Sequence, residues 1–127
     1  MHEKHLYEYA VIRVLPAVER EEFLNAGIIL FCKKAKFIKV YFALNEDKLC
    51  AFAAGLDLEQ LKLNLESFEK IASGDKAGGP IAEMDLPSRF RWLTAVRSSA
   101  IQTSRPHPGL CDDLEKTAKR LFEELVL

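Results

Sequence analysis

Three stretches near the start of the chain are rich in apolar, β-branched and aromatic residues, and each reads as a strand. Leu6 to Leu15 places Tyr7, Tyr9 and Val11 on one side and Ala10, Ile12 and Val14 on the other. Apolar residues on both sides predict a central position in a sheet, and Pro16 ends the strand because proline cannot donate to the ladder. After a charged connector, Phe23 to Cys32 contains the continuous apolar run Ile28-Ile29-Leu30-Phe31-Cys32, which predicts a fully buried strand. Asn25 and Gly27 near its start suggest a bulge or a close backbone approach. Lys33-Lys34-Ala35-Lys36 makes a polar turn, and in Phe37 to Ala43 Ile38, Val40 and Phe42 alternate with Lys39 and Tyr41, as in a half-buried antiparallel hairpin partner.

The period then lengthens. Asn45 can cap a short helix ending near Gly55. Asp57 can cap the next, with Gln60 at the capping-box position. Leu58, Leu61, Leu65, Phe68 and Ala72 share one face of it, and Gly74 closes it. Asp75 to Pro80 reads as a flexible loop and Ile81 to Met84 as a short edge strand. Pro87 to Thr94 fits a short helix with proline in its first turn. Ser99 to Thr103 fits a fourth strand, and Arg105-Pro106-His107-Pro108-Gly109 a stiff loop. Asp112 caps a terminal helix carrying Leu114, Ala118, Leu121, Phe122 and Leu125 on its buried side. The expected fold is α+β, an antiparallel sheet of about four strands with helices packed mainly on one face.

At 127 residues the chain fits one domain spanning 1–127. Hydrophobic residues make up 49% and charged residues 29%, as in ordinary globular proteins. A net charge of −1 makes nucleic acid an improbable partner unless a local patch supplies the contact. No apolar run reaches the roughly 20 residues of a membrane span, and the N-terminus lacks the apolar stretch of a signal peptide. Three scattered cysteines without a CxxC pair point to free thiols in a cytoplasmic protein.

Charge is not spread evenly. Residues 86–111 contain no Asp, Glu or Lys, yet hold Arg89, Arg91, Arg97 and Arg105. Arginine presents a planar fork of donors to carboxylates and phosphates. A window with that fork and no anion of its own is suited to meeting one. The candidate binding residues are Arg89, Arg91, Trp92, Arg97, Ser98, Gln102, Arg105 and His107, with Ser99 as a further donor. The structural alternative has Arg89 and Arg91 pairing with Glu19, Glu21, Glu22, Asp112 or Asp113, or simply solvated. Trp92, between Phe90 and Leu93, reads first as core and second as an exposed hot-spot residue.

Other chemistry is thinner. His107 and Cys111, with Asp112 and Asp113 following, could imitate a thiol with its base, but the flanking prolines argue against a stacked pair. His2, His5, His107 and Cys111 could be assembled into a metal site only through a terminus expected to be mobile. No glycine-rich phosphate loop occurs. The lysines at 33, 34, 36 and 39 fit protection of a sheet edge better than phosphate binding. No catalytic residue, metal or cofactor is assigned, and the sequence leans against an enzyme without deciding the point.

Two blocks carry a resemblance. The first runs Tyr7-Glu8-Tyr9-Ala10-Val11-Ile12-Arg13-Val14 and continues at Glu21-Glu22-Phe23-Leu24-Asn25-Ala26-Gly27-Ile28. The second is Arg89-Phe90-Arg91-Trp92-Leu93-Thr94 with Arg97-Ser98, Ile101-Gln102, Ser104, His107 and Gly109-Leu110, closing with Asp112-Asp113 and the terminal helix. Together they resemble a bacterial family known as domain of unknown function 3037, which has no assigned reaction. Val96 departs from the proline that family members often carry there. The resemblance implies a small accessory protein, since relatives are often encoded beside a HipA-like kinase-fold protein. It overlaps the arginine window at Arg91, Trp92, Arg97, Ser98, Gln102 and His107. The sequence thus predicts a protein-interaction module that docks through an arginine-rich face, with a HipA-like kinase-fold protein as the candidate partner. Binding of a small anion, nucleotide or nucleic-acid phosphate by the same arginines is the alternative.

Overall fold

In a computed structural model of the chain, residues 4–15, 23–47, 49, 57–95 and 101–127 are described. The first three strands are β1 (His5–Val14), β2 (Leu24–Cys32) and β3 (Phe37–Phe42). Three helices follow as α1 (Leu58–Ser73), α2 (Leu86–Leu93) and α3 (Leu114–Leu125), with β4 (Ile101–Thr103) and β5 (His107–Cys111) between the last two. The sheet is antiparallel throughout and runs β3-β2-β1, and both β4 and β5 pair with the outer edge of β1. The fold is α+β, as the residue pattern predicts.

The central position of β1 and the burial of β2 follow from their apolar faces. Ile29 and Phe31 join Ala10, Ile12, Leu65, Phe68, Phe90 and Leu93 in one core under α1 and α2. Ile28, Leu30 and Cys32, the alternate residues of β2, join Tyr7, Leu114, Ala118 and Leu121 under α3. Two helices therefore share one face of the sheet, and α3 covers part of the other. Each fully buried Leu, Ile or Phe stabilises this arrangement by about 1.5–3 kcal/mol.

The bulge suggested by Asn25 and Gly27 is present. Ile12 faces Gly27 while Arg13 faces Asn25, so Ala26 is the extra residue. Gly27 also serves a close approach, because a Cβ there would lie 2.9 Å from the Phe42 Cβ and run into the Tyr41 carbonyl. The Asp57 side chain accepts from the Gln60 N–H at 3.0 Å. Gly74, at φ 76°, ends α1 in the left-handed conformation that glycine adopts without penalty, and Asp75 N–H donates to the Lys70 carbonyl at 3.0 Å. Around the β3–α1 connection, Leu49 N–H donates to the Asn45 carbonyl at 3.0 Å, and the expected helix end near Gly55 lies outside the described residues.

Three expectations are corrected. Ile81 to Met84 is not an edge strand: Pro80–Glu83 forms a 3-10 turn, entered from Gly79 at φ 83° with proline in its first position. The stiff loop after Arg105 becomes β5 at His107, with Pro108 opposite Glu8, because an edge strand tolerates a residue that cannot donate. The cap of α3 is Asp113 rather than Asp112, with its side chain accepting from Lys116 N–H at 3.1 Å.

Between β4 and β5 the register on β1 slips by one residue. Ser104 fills the break. Its N–H donates to the Val11 carbonyl at 2.9 Å. Its Oγ accepts the Val11 N–H at 2.9 Å and donates to the Arg105 carbonyl at 3.1 Å. A serine hydroxyl thus stands in for the ladder carbonyl that the bulge turns away.

Candidate functional site

The eight-residue helix α2 is set by its own sequence. The Asp85 side chain accepts from the Ser88 N–H at 3.0 Å, and Pro87 occupies a position where its missing N–H costs nothing. Phe90 and Leu93 point into the core, at 2% and 3% exposure, and Phe90 stacks on Phe31 with centroids 4.8 Å apart. The helical period then turns Arg91 and Trp92 outward. Trp92 is 37% exposed, so the core reading of the lone tryptophan is overturned. Arg91 is exposed and forms no ion pair among the described residues. Asp85 feels it at a distance: hydrogen bonding from Ser88, and then the positive field of Arg89 and Arg91, hold that carboxyl below its ordinary range.

Arg89 has a different surrounding. Its Nη1 donates to the Met84 carbonyl at 2.9 Å. The same nitrogen would lie 3.0 Å from a Cβ on Gly74, so the guanidinium packs against the C-terminal cap of α1. Its Nε is buried with no hydrogen-bond partner among the described residues. Arg89 therefore ties α2 to the end of α1.

The remaining candidates lie along the β4–β5 edge. Gln102 faces Arg13 across the ladder, so alternation turns it away from the α1–α2 face, where Ile12 and Val14 point. His107 is exposed, faces Tyr9 and packs on its ring with centroids 5.3 Å apart. Arg105 is exposed at the register break. Arg97, Ser98 and Ser99 fall outside the described residues, as do Glu19, Glu21 and Glu22. Arg91 and Trp92 are thus neighbours on a helix over one face of the sheet, while Gln102 and His107 open on the other.

His107 and Cys111 stand four residues apart on one strand, about 13 Å at the rise of a β-strand. A base at that distance cannot take the thiol proton. Cys111 instead faces His5 across the ladder, a pairing invisible before the strand register is known. Near it, burial and then the neighbouring Cys111 push the Tyr7 phenol up. Among the described residues no group of three or more His, Cys, Asp or Glu side chains could hold a metal. No helix among them is long and apolar enough to cross a membrane.

One cation was not singled out from the sequence. Arg13 sits on the central strand between Ile12 and Val14, both fully buried. Its guanidinium carbon lies 4.2 Å from the Phe23 ring centroid. Its Nε is buried with no hydrogen-bond partner among the described residues. Its signal in the sequence is a cation set between the apolar residues Ile12 and Val14 of a strand.

The fold and surface define a small α+β domain with an outward Arg–Trp pair on its shortest helix. The family described as "Protein of unknown function (DUF3037)" matches residues 9–126, and the chain belongs to it. No curated protein and no solved structure matches the chain.

Proposed function

We propose that this chain is a non-enzymatic protein-interaction module of the bacterial cytoplasm, which docks an acidic surface of a partner through the outward face of α2. The observation that carries the reading is Trp92, 37% exposed beside an exposed Arg91. Phe90 and Leu93 face the core, which leaves Arg91 and Trp92 on the outward side of the helix. Tryptophan and arginine are enriched at the centres of protein interfaces. Within α2 itself, Leu86–Leu93, Arg89 and Arg91 are the charged residues and no Asp or Glu occurs, which suits this helix to an acidic partner. The family resemblance points to a HipA-like kinase-fold protein as that partner.

Co-purification tests the reading. Tagged wild type and the Arg91→Ala/Trp92→Ala variant are compared at moderate salt, with thermal unfolding showing that both are folded. The wild type should retain one stoichiometric protein and the variant should lose it. Equal retention by both baits would remove α2 from the interface.

A further inference from the structure

The two edges of the sheet are built differently. On one side, β4 and β5 are short and the register slips between them at Ser104. Val11 turns its backbone groups to this side, where they meet Ser104. By alternation Tyr9 and Tyr7 do the same towards His107 and Gly109, which leaves Pro108 pointing away from β1. A short, broken edge whose outward residue has no N–H resists a further strand.

The other edge is β3, at the end of the order β3-β2-β1. Ala43 N–H donates to the Ala26 carbonyl at 2.8 Å, in line with the Phe42–Gly27 pair. Bonded and non-bonded pairs alternate in an antiparallel ladder, so Phe37, Lys39 and Tyr41 direct their backbone groups to β2. Those of Ile38, Val40 and Phe42 point to the open side, where no backbone group among the described residues meets them. Val40 joins the core under α1, and Phe37 and Tyr41 pack against the core under α3. The edge is thus held between two helices. It contains no proline, and its one charged residue, Lys39, leans towards α3, with Nζ 3.9 Å from Glu115 and 5.2 Å from the Tyr41 ring centroid. Lys33, Lys34 and Lys36 sit in the turn before the strand, beyond the ladder.

Charge selects what can pair here. Exposed Lys33, Lys34 and Lys36 make one end of β3 basic, and exposed Glu46 and Asp47 follow its other end. Glu46 is held by Lys62 at 2.6 Å, while Asp47 forms no ion pair among the described residues. Lys48 lies outside the described residues. An antiparallel second copy lays each basic end beside the acidic end of the other, whereas a parallel one would lay lysines beside lysines.

We propose that β3 pairs antiparallel with β3 of a second copy of this chain, joining two sheets into one across a two-fold axis at Val40. Such an interface uses the same surface on both subunits. Ile38 then faces Phe42 of the partner subunit, and the open backbone groups of all three outward residues find partners. Lys39 comes opposite Tyr41 of the partner subunit, whose ring face suits a cation. An axis at Lys39 would instead set like charges opposite each other.

Sedimentation equilibrium over a series from micromolar to millimolar protein, read together with amide exchange, tests the proposal. Wild type should pass from monomer to dimer. The amides of Ile38, Val40 and Phe42 should slow their exchange in step, since hydrogen bonding protects them only in the dimer. Charge reversal at exposed residues adds the specific test. Lys33→Glu/Lys34→Glu sets acid beside acid, and Asp47→Lys sets base beside base. Each alone should weaken self-association by about tenfold, as two exposed ion contacts change sign. An equimolar mixture of the two variants should regain the wild-type affinity, because every contact then joins opposite charges. A wild type that stays monomeric throughout overturns the proposal. So do dimers whose three amides exchange as in the monomer, and a mixture that associates no better than its components. Arg91 and Trp92 take no part in this edge, so failure here leaves the docking surface on α2 standing.

Discussion

The ring of Tyr7 lies across the backbone of Gly109, its cross-strand partner, so closely that a Cβ at residue 109 would collide with the ring carbons. Glycine weakens a strand, and an aromatic ring laid over it restores contacts that the missing side chain cannot make. The pair joins the edge strand β5 to the core under α3, where Tyr7 is 7% exposed. Gly109→Ala should therefore destabilise the fold by about 1–3 kcal/mol, as overpacking does. In a double-mutant cycle with Tyr7→Ala the losses should fall short of additive. Urea unfolding measures both, and strictly additive losses would show that the ring does not depend on the glycine.

Ser104→Ala should cost about 1–3 kcal/mol, because the Val11 N–H would be left buried without its acceptor. Hydrogen exchange gives the local readout. The Val11 amide should exchange faster in the variant, relative to its neighbours in β1. Unchanged protection would mean that another group takes over the hydroxyl's role.

Two arginines of one helix should behave oppositely. Arg89→Ala removes the bond to the Met84 carbonyl and the packing on the α1 cap. It should lower stability by about 1–2 kcal/mol. Arg91→Ala should stay within about 0.5 kcal/mol of wild type, as exposed substitutions do, and act on partner binding instead. Chemical denaturation of the two variants separates these roles; equal losses would contradict the assignment.

The cap of α2 should leave an acid signature. The Asp85 carboxyl is held below its ordinary value of 3.8, mainly by Ser88 and then by Arg89 and Arg91. A carboxyl depressed in the folded state contributes stability that is complete above its unfolded pKa and is lost as the pH falls through the folded one. Asp85→Asn keeps a capping oxygen without the charge. Its melting temperature should fall less steeply than that of wild type as the pH drops below 3.8. Parallel curves would show that the ionised carboxyl has no special place at this cap.

Much of this fold is legible along the chain. Strands β1 to β3, the Lys33–Lys36 turn, the Asp57 and Gly74 boundaries and the bulge beside Gly27 all follow from local patterns. Strand β5 did not, because Pro106 and Pro108 mark a loop unless the strand is known to lie at an edge. The exposure of Trp92 was missed for a related reason. With Phe90 and Leu93 both apolar, composition favours burial of all three, and only the helical period turns the tryptophan away. The separation of Gln102 and His107 from Arg91 depends on sheet register, which no local pattern encodes.

The lone tryptophan reports directly on the proposed interface. In a purified stoichiometric complex with a partner that lacks tryptophan or is compared alone, Trp92 emission should shift to shorter wavelength and lose its quenching by acrylamide. Emission and quenching unchanged between the chain alone and the complex would place Trp92 in water throughout, and the docking surface would have to lie elsewhere.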